Sequence, residues 1–223
     1  MSSIEFNAKL PVSVEVIERK FFDKYILKLG TQRLECKSRK SLEVGRMYWA
    51  ELKRSSTSSI IISGLIKKPD ILEYMDYFFS FQSFDAVFEV MADIKKFKEM
   101  ILKSLAEANS KKEFLFYTNL LLSMQSGVVT IPLLIDSKFF FLQFKREAHF
   151  IRIYFLFSNL APVLINLDSL NQTLNILVSY ESSLRILQEE LETLVDFSVQ
   201  SIMLKKDIKP IFDFKNSLLD LKG

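Results

Sequence analysis

One cysteine, one histidine and one tryptophan are all that this 223-residue chain holds of those three types, and it has only 5 Gly and 5 Pro. Each scarcity closes a class of function. The single Cys36 rules out an intramolecular disulfide and fits a reducing compartment; on an alternating run it reads as a small core residue. The single His149 has no second histidine and no cysteine pair with which to complete a zinc site. A nucleophilic triad would have to be built on that same residue, and no G-x-S-x-G elbow surrounds any serine. Neither G-x-x-x-x-G-K-[ST] nor G-x-G-x-x-G occurs, so no glycine-rich phosphate cradle is expected. The expectation is a protein without cofactor, metal or small-molecule substrate, and not an enzyme.

Targeting and membrane segments are also missing from the pattern. MSSIEFNAKL has no basic start followed by an apolar stretch, so a secretory signal is not expected and a cytoplasmic location is. The uncharged run between Arg152 and Asp168, at 15 residues, is shorter than the roughly 20 that a membrane-crossing helix needs. Ser158, Asn159 and Pro162 interrupt it as well.

Charge is balanced, with a formal net value of +3. The lysines lie in small dispersed groups such as Lys67-Lys68 and Lys95-Lys96-Lys98, which permits a nucleic-acid surface without indicating one. Glu189, Glu190 and Glu192 fall opposite a leucine face and read as a solvated surface.

What the chain does hold is core material: 49% hydrophobic residues, 21 of them Phe. Residues 10–66 alternate with period two at Val12, Val14 and Val16, then Tyr25, Leu27 and Leu29, then Leu34 and Cys36, then Tyr48, Ala50 and Leu52, then Ile60 and Ile62. About five short strands at roughly ten-residue spacing predict a small OB-like or SH3-like β-barrel.

From Pro69 the period changes. Val87, Met91, Ile94, Phe97, Ile101 and Leu105 predict an amphipathic helix, a shorter one is expected in ILEYMDYFF, and a third in KEFLFYTNLLLSMQSG with Phe114, Tyr117, Leu121 and Met124 on one face and Gly127 as cap. From Val128 strands return, followed by a helix with Leu184, Leu187, Leu191 and Leu194 on its apolar side, Ser182 or Ser183 as N-cap, and a closing strand in SVQSIMLK. Phe139 and Phe141 should point to one face and Phe140 to the other. The fold class expected is α+β, with an N-terminal barrel, a helical middle section, and a C-terminal mixed α/β domain with a mainly antiparallel sheet and one long helix. The domain bounds expected are 1–68, 69–127, 128–210 and a tail over 211–223.

Within the C-terminal part, Leu160-Ala161-Pro162-Val163 leads into a strand continued by Ile165 and Leu167; Asp168 to Gln172 forms a polar hairpin, Leu174 to Val178 a strand, and Ser182 to Phe197 a leucine-rich helix. With IPLLIDSKFFFLQF upstream, residues 128–207 resemble the C-terminal domain of flagellar hook-length control proteins of the FliK type. KYILKLGTQRLECKSRKSLEVGRMYWAEL is similar to barrels found ahead of that domain in some relatives. The resemblance implies a non-enzymatic protein that contacts the cytoplasmic part of the flagellar export gate, FlhB, and helps switch type III export between substrate classes. It also implies a cytoplasmic place at the export apparatus and allows export by the type III route.

The section between barrel and C-terminal domain, about 60 residues at ~3.5 Å each when extended, is too short to measure a hook. A ruler role is therefore not expected. By position, Leu160, Val163 and Ile165 are the candidate protein-binding residues, with core packing as their competing account. The alternative function is an OB-like nucleic-acid-binding protein using the barrel and the dispersed lysines. A scaffold with only protein partners is a third.

Overall fold

The computed structural model describes residues 10–54, 60–83, 85, 93–136, 138–157, 161–191 and 196–214. The architecture is α+β, as expected from the pattern. Five strands, β1 (Val12–Arg19), β2 (Lys24–Leu29), β3 (Gln32–Lys37), β4 (Met47–Arg54) and β5 (Ile60–Lys67), form an antiparallel sheet in the order β3-β2-β1-β4-β5. Bulges in β1 after Val16 and in the β4/β5 pair after Trp49 curl it into a half-barrel. Val14, Val16, Tyr25, Leu27, Tyr48 and Ala50 fill its concave side, as their alternation predicted. Among the described residues the barrel does not close on itself: β3 pairs only with β2, and β5 only with β4.

The larger sheet has seven strands: β6 (Phe79–Phe81), β7 (Val128–Ile135), β8 (Lys138–Glu147), β9 (Phe150–Phe157), β10 (Val163–Asp168), β11 (Thr173–Val178) and β12 (Ser198–Leu204). They lie side by side in chain order. β7 to β11 run as an antiparallel meander, while β6/β7 and β11/β12, the two outer pairs, are parallel. A parallel pair needs a crossover rather than a hairpin. Helices α1 (Ile94–Ala106) and α2 (Lys111–Gln125) lie in the first crossover and α3 (Glu181–Leu191) in the second.

The middle section is not wholly helical. ILEYMDYFF begins as a 3-10 helix over Asp70–Tyr77, but Phe79 already belongs to β6. The Phe79 ring lands on Phe97 of α1 at 5.8 Å and on Tyr117 of α2 at 6.0 Å. In α1, Asp93 caps the N-terminus by accepting from the Lys95 and Lys96 amides, and Phe97 and Ile101 are buried; Val87 and Met91 lie outside the described residues.

In α2, Ser110 accepts from the Glu113 amide while the Glu113 carboxylate accepts from the Asn109 amide, a reciprocal cap. Its buried residues are Phe116, Tyr117, Asn119, Leu120 and Ser123; of the expected face Tyr117 is buried and Leu121 and Met124 pack partly against the core, but Phe114 is 49% exposed. The helix is apolar on most sides, so its orientation is decided by stacking of Phe116 on Tyr74 and Phe78. In α3, Leu184, Leu187 and Leu191 pack on the sheet as predicted, and Leu194 lies outside the described residues. Its start is one residue earlier than expected, so Ser182 and Ser183 sit buried in the first turn instead of capping it.

Two features join the sheets. β4 is buried on both sides, with Tyr48 and Ala50 in the half-barrel and Trp49, 1% exposed, in the main core with Phe141, Tyr154 and Leu156. The segment from Ile208 to Phe214 lies across the larger sheet as a strap, so the chain beyond 210 starts as part of the core rather than as a tail. Gln143, fully buried on β8, holds it: its carbonyl accepts from the Ile211 and Phe212 amides at 2.8 and 3.1 Å, and its amide donates to the Phe212 carbonyl at 2.8 Å. Thr130 takes the other amide proton at 3.3 Å.

A Gln143→Ala variant strands three strap backbone groups and opens a cavity. The expected loss is about 2–4 kcal/mol in urea denaturation, with faster amide exchange at Ile211 and Phe212 than at β7.

Candidate docking surface

The meander gives the larger sheet two apolar faces, because FIRIYFLF carries Ile151, Ile153, Phe155 and Phe157 at one parity and Tyr154 and Leu156 at the other. Tyr154 and Leu156 face the half-barrel and the strap and are fully buried. The opposite face runs through Phe144, Ile153 and Ile165 in one row and Leu142, Phe155 and Val163 in the next.

Handedness decides what covers that second face. β6 and β11 are both followed by a parallel neighbour displaced in the same lateral direction, and the meander between them leaves both pointing the same way. Right-handed crossovers then place both helical layers on one face. The packing agrees: Phe79, in line with Leu133 and so with Phe140, meets α1 and α2, whereas Val163, in line with Phe155, meets α3. Helices thus cover the two ends of the face. Over β8, β9 and β10 it stays half open, with Phe144, Ile151, Ile153, Phe155 and Phe157 all partly exposed. Phe157 stands edge-on to Phe155 at 4.0 Å and to Phe140 at 5.0 Å, which stiffens the surface.

The residues singled out by position divide. Ile165 lies on this face, partly buried against the cluster that α3 covers. Val163 is 3% exposed beneath α3 and has no surface to offer. Leu160 lies outside the described residues, next to a fully buried Ala161. His149 is exposed on the β8–β9 turn, its ring 4.0 Å from that of Phe150. Glu189 and Glu190 are exposed on α3, and Phe139, Phe140 and Phe141 alternate between faces as expected. Among the described residues no group of three His, Cys, Asp or Glu side chains could hold a metal ion, and no helix is long and apolar enough to cross a membrane.

On the opposite side, where the two sheets meet, the polar groups are more constrained. The Tyr180 hydroxyl donates to the Gly64 carbonyl at 2.6 Å, and burial, helped by the Glu51 charge, pushes its pKa up. Gly64 sits at φ 65° in the β5 bulge, where a Cβ would come within 2.9 Å of the Tyr180 ring. Nearby, a crevice of about 440 Å³ is lined by Lys68, Tyr154 and the strap residues Phe212 and Asp213. Burial lowers the Lys68 pKa from 10.5 to about 8, and its ammonium lies 5.2 Å from the centre of the Trp49 ring. Burial, with the Asp213 charge adding to it, raises the pKa of Tyr154. None of these groups was legible from sequence, since the partners come from segments far apart in the chain.

Two variants test this junction. Gly64→Ala should cost about 1–3 kcal/mol through the left-handed backbone and the ring approach together. Lys68 should impose its desolvation cost fully below pH 8; between pH 8 and 10.5 the unfolded chain binds the proton better, so stability rises with pH. Lys68→Met is therefore expected to be more stable than the parent at pH 7 by about 1 kcal/mol after allowance for solvent screening, and the gap should shrink toward pH 10 in paired urea titrations.

No protein-family model matches the sequence, and no curated protein and no solved structure is significantly similar to it.

Proposed function

We propose that this chain is a non-enzymatic protein-binding module that works, as hook-length control proteins do, on the cytoplasmic part of the flagellar export gate, FlhB, and biases type III export between substrate classes. The observation that carries the binding role is the half-open apolar floor over β8, β9 and β10. A stretch of aromatic and branched side chains between two helical walls favours a protein partner over water, and its ring packing keeps it from collapsing. The identity of the partner rests on the strand, hairpin, strand, helix and strand order that carries the resemblance over 128–207. That order lies next to the floor, because β10, β11, α3 and β12 follow β9 directly.

The experiment is capture of the purified chain by the immobilised cytoplasmic domain of FlhB, beside hook length and motility in a deletion strain. Retention is expected, and Ile153→Glu, which places a charge mid-floor, should weaken it by at least about tenfold while leaving the thermal midpoint nearly unchanged. No retention, together with normal hooks and motility in the deletion strain, would remove the proposal.

A further inference from the structure

The half-barrel carries a second surface, independent of the apolar floor and of the export-gate reading. A cleft of about 1380 Å³ separates its two edge strands, β3 and β5, and among the described residues neither has a strand partner on that side, the Gly64 carbonyl of β5 being taken by Tyr180. Interior residues on the central strands, Val14, Val16 and Ala50, are 0% exposed, yet those on the edges, Leu34 and Cys36 of β3 and Ile62 and Leu65 of β5, are only partly buried. That is the exposure expected of a barrel lacking a strand. The end of the cleft is walled by Tyr180 and Leu204 from the larger sheet.

At its β3 end the mouth is electropositive, whereas Glu51, Glu181 and Asp207 line it toward the larger sheet. Lys37, Arg39, Lys40 and Lys206 line the cleft without an ion pair to any described residue. The acid nearest them on β3, Glu35, is neutralised from outside the cleft by Lys20 at 3.1 Å and Lys24 at 3.6 Å, which also hold its carboxyl below the usual range. We infer that the cleft receives an extended acidic segment of a partner protein, which adds a strand against β3 or β5, sets alternate apolar side chains over Leu34 and Ile62, and directs its carboxylates to Lys37, Arg39 and Lys40. Strand addition takes its affinity from backbone hydrogen bonds and its specificity from alternate side chains. A second copy of this chain fits badly, because edge-to-edge pairing through β3 would bring the same cations together.

Cys36, the sole thiol, reports directly on occupancy because it lines the cleft. The probe is a fluorescein-labelled peptide Glu-Val-Glu-Ile-Glu-Val-Glu, compared with a block-ordered peptide of the same composition and with a version carrying Lys in place of Glu. Expected are a saturable rise in anisotropy with the alternating acidic peptide alone and slowing of Cys36 alkylation by about fivefold or more at saturation. Lys37→Glu combined with Lys40→Glu should weaken binding by about tenfold or more, with an unchanged circular dichroism spectrum showing that the half-barrel is intact. No binding at millimolar peptide, equal binding of the block-ordered peptide, or binding that leaves Cys36 as reactive as before would overturn the inference. So would Cys36 protection that tracks a dimer in light scattering, which would place a second copy in the cleft.

Discussion

A parallel pair of neighbouring strands cannot be joined by a hairpin, and most of this molecule follows from having two such pairs at opposite edges of one sheet. Each needs a crossover of one hand. Because the five strands between them alternate in direction, the two crossovers land on the same face and are separated by the width of three strands. The arrangement yields walls at both ends and a half-open middle without any loop being shaped for the purpose. It also leaves the other face free for the half-barrel and the strap, so one topological constraint sorts the contents of both sides.

The joint between the sheets is built in a different way. Apolar burial there is carried by Trp49 from one side and by Phe141, Tyr154 and Leu156 from the other, but orientation comes from a few polar contacts. Gln143 presents an amide in mid-sheet that serves the strap as a neighbouring backbone would. Tyr180 meets the one bulge whose glycine leaves room for its ring. Such contacts add little net energy when made and cost much when broken, so they discriminate between docking geometries more than they drive association. The unpaired hydroxyl of Tyr154 and indole N–H of Trp49 are the cost of setting polar-tipped rings deep in this joint.

Much of the fold was legible because the relevant forces are local. Period-two runs in the half-barrel and the meander, and the leucine spacing of α3, state directly which side chains go inside. Where the pattern is apolar on every side, as in KEFLFYTNLLLSMQSG, spacing could not choose a face, and rings from the 3-10 helix chose it. β6 is three residues long, too short for any period to register. The serines before α3 looked like caps because their chemistry suits that role, yet the contact of Tyr180 with Gly64, 116 residues away, accompanies an earlier start. The candidate surface was half legible: alternation in FIRIYFLF announces two apolar faces, but which one stays uncovered depends on crossover handedness. Val163 and Ile165 share that face, yet the first belongs to the buried cluster beneath α3 and the second is only packed against it, a difference that spacing does not register.

The strap sets an order on assembly during synthesis. Among the described residues the half-barrel's interior is drawn from residues 12–65, so it can form as soon as that stretch leaves the ribosome. Gln143 must wait for Ile211 and Phe212, 68 and 69 residues further along. Until they emerge, the nascent sheet holds an unsatisfied amide and the rings of Phe141 and Tyr154 on a face still missing part of its cover. During that interval the chain presents two apolar faces rather than one, and it is then that a chaperone would have most to bind.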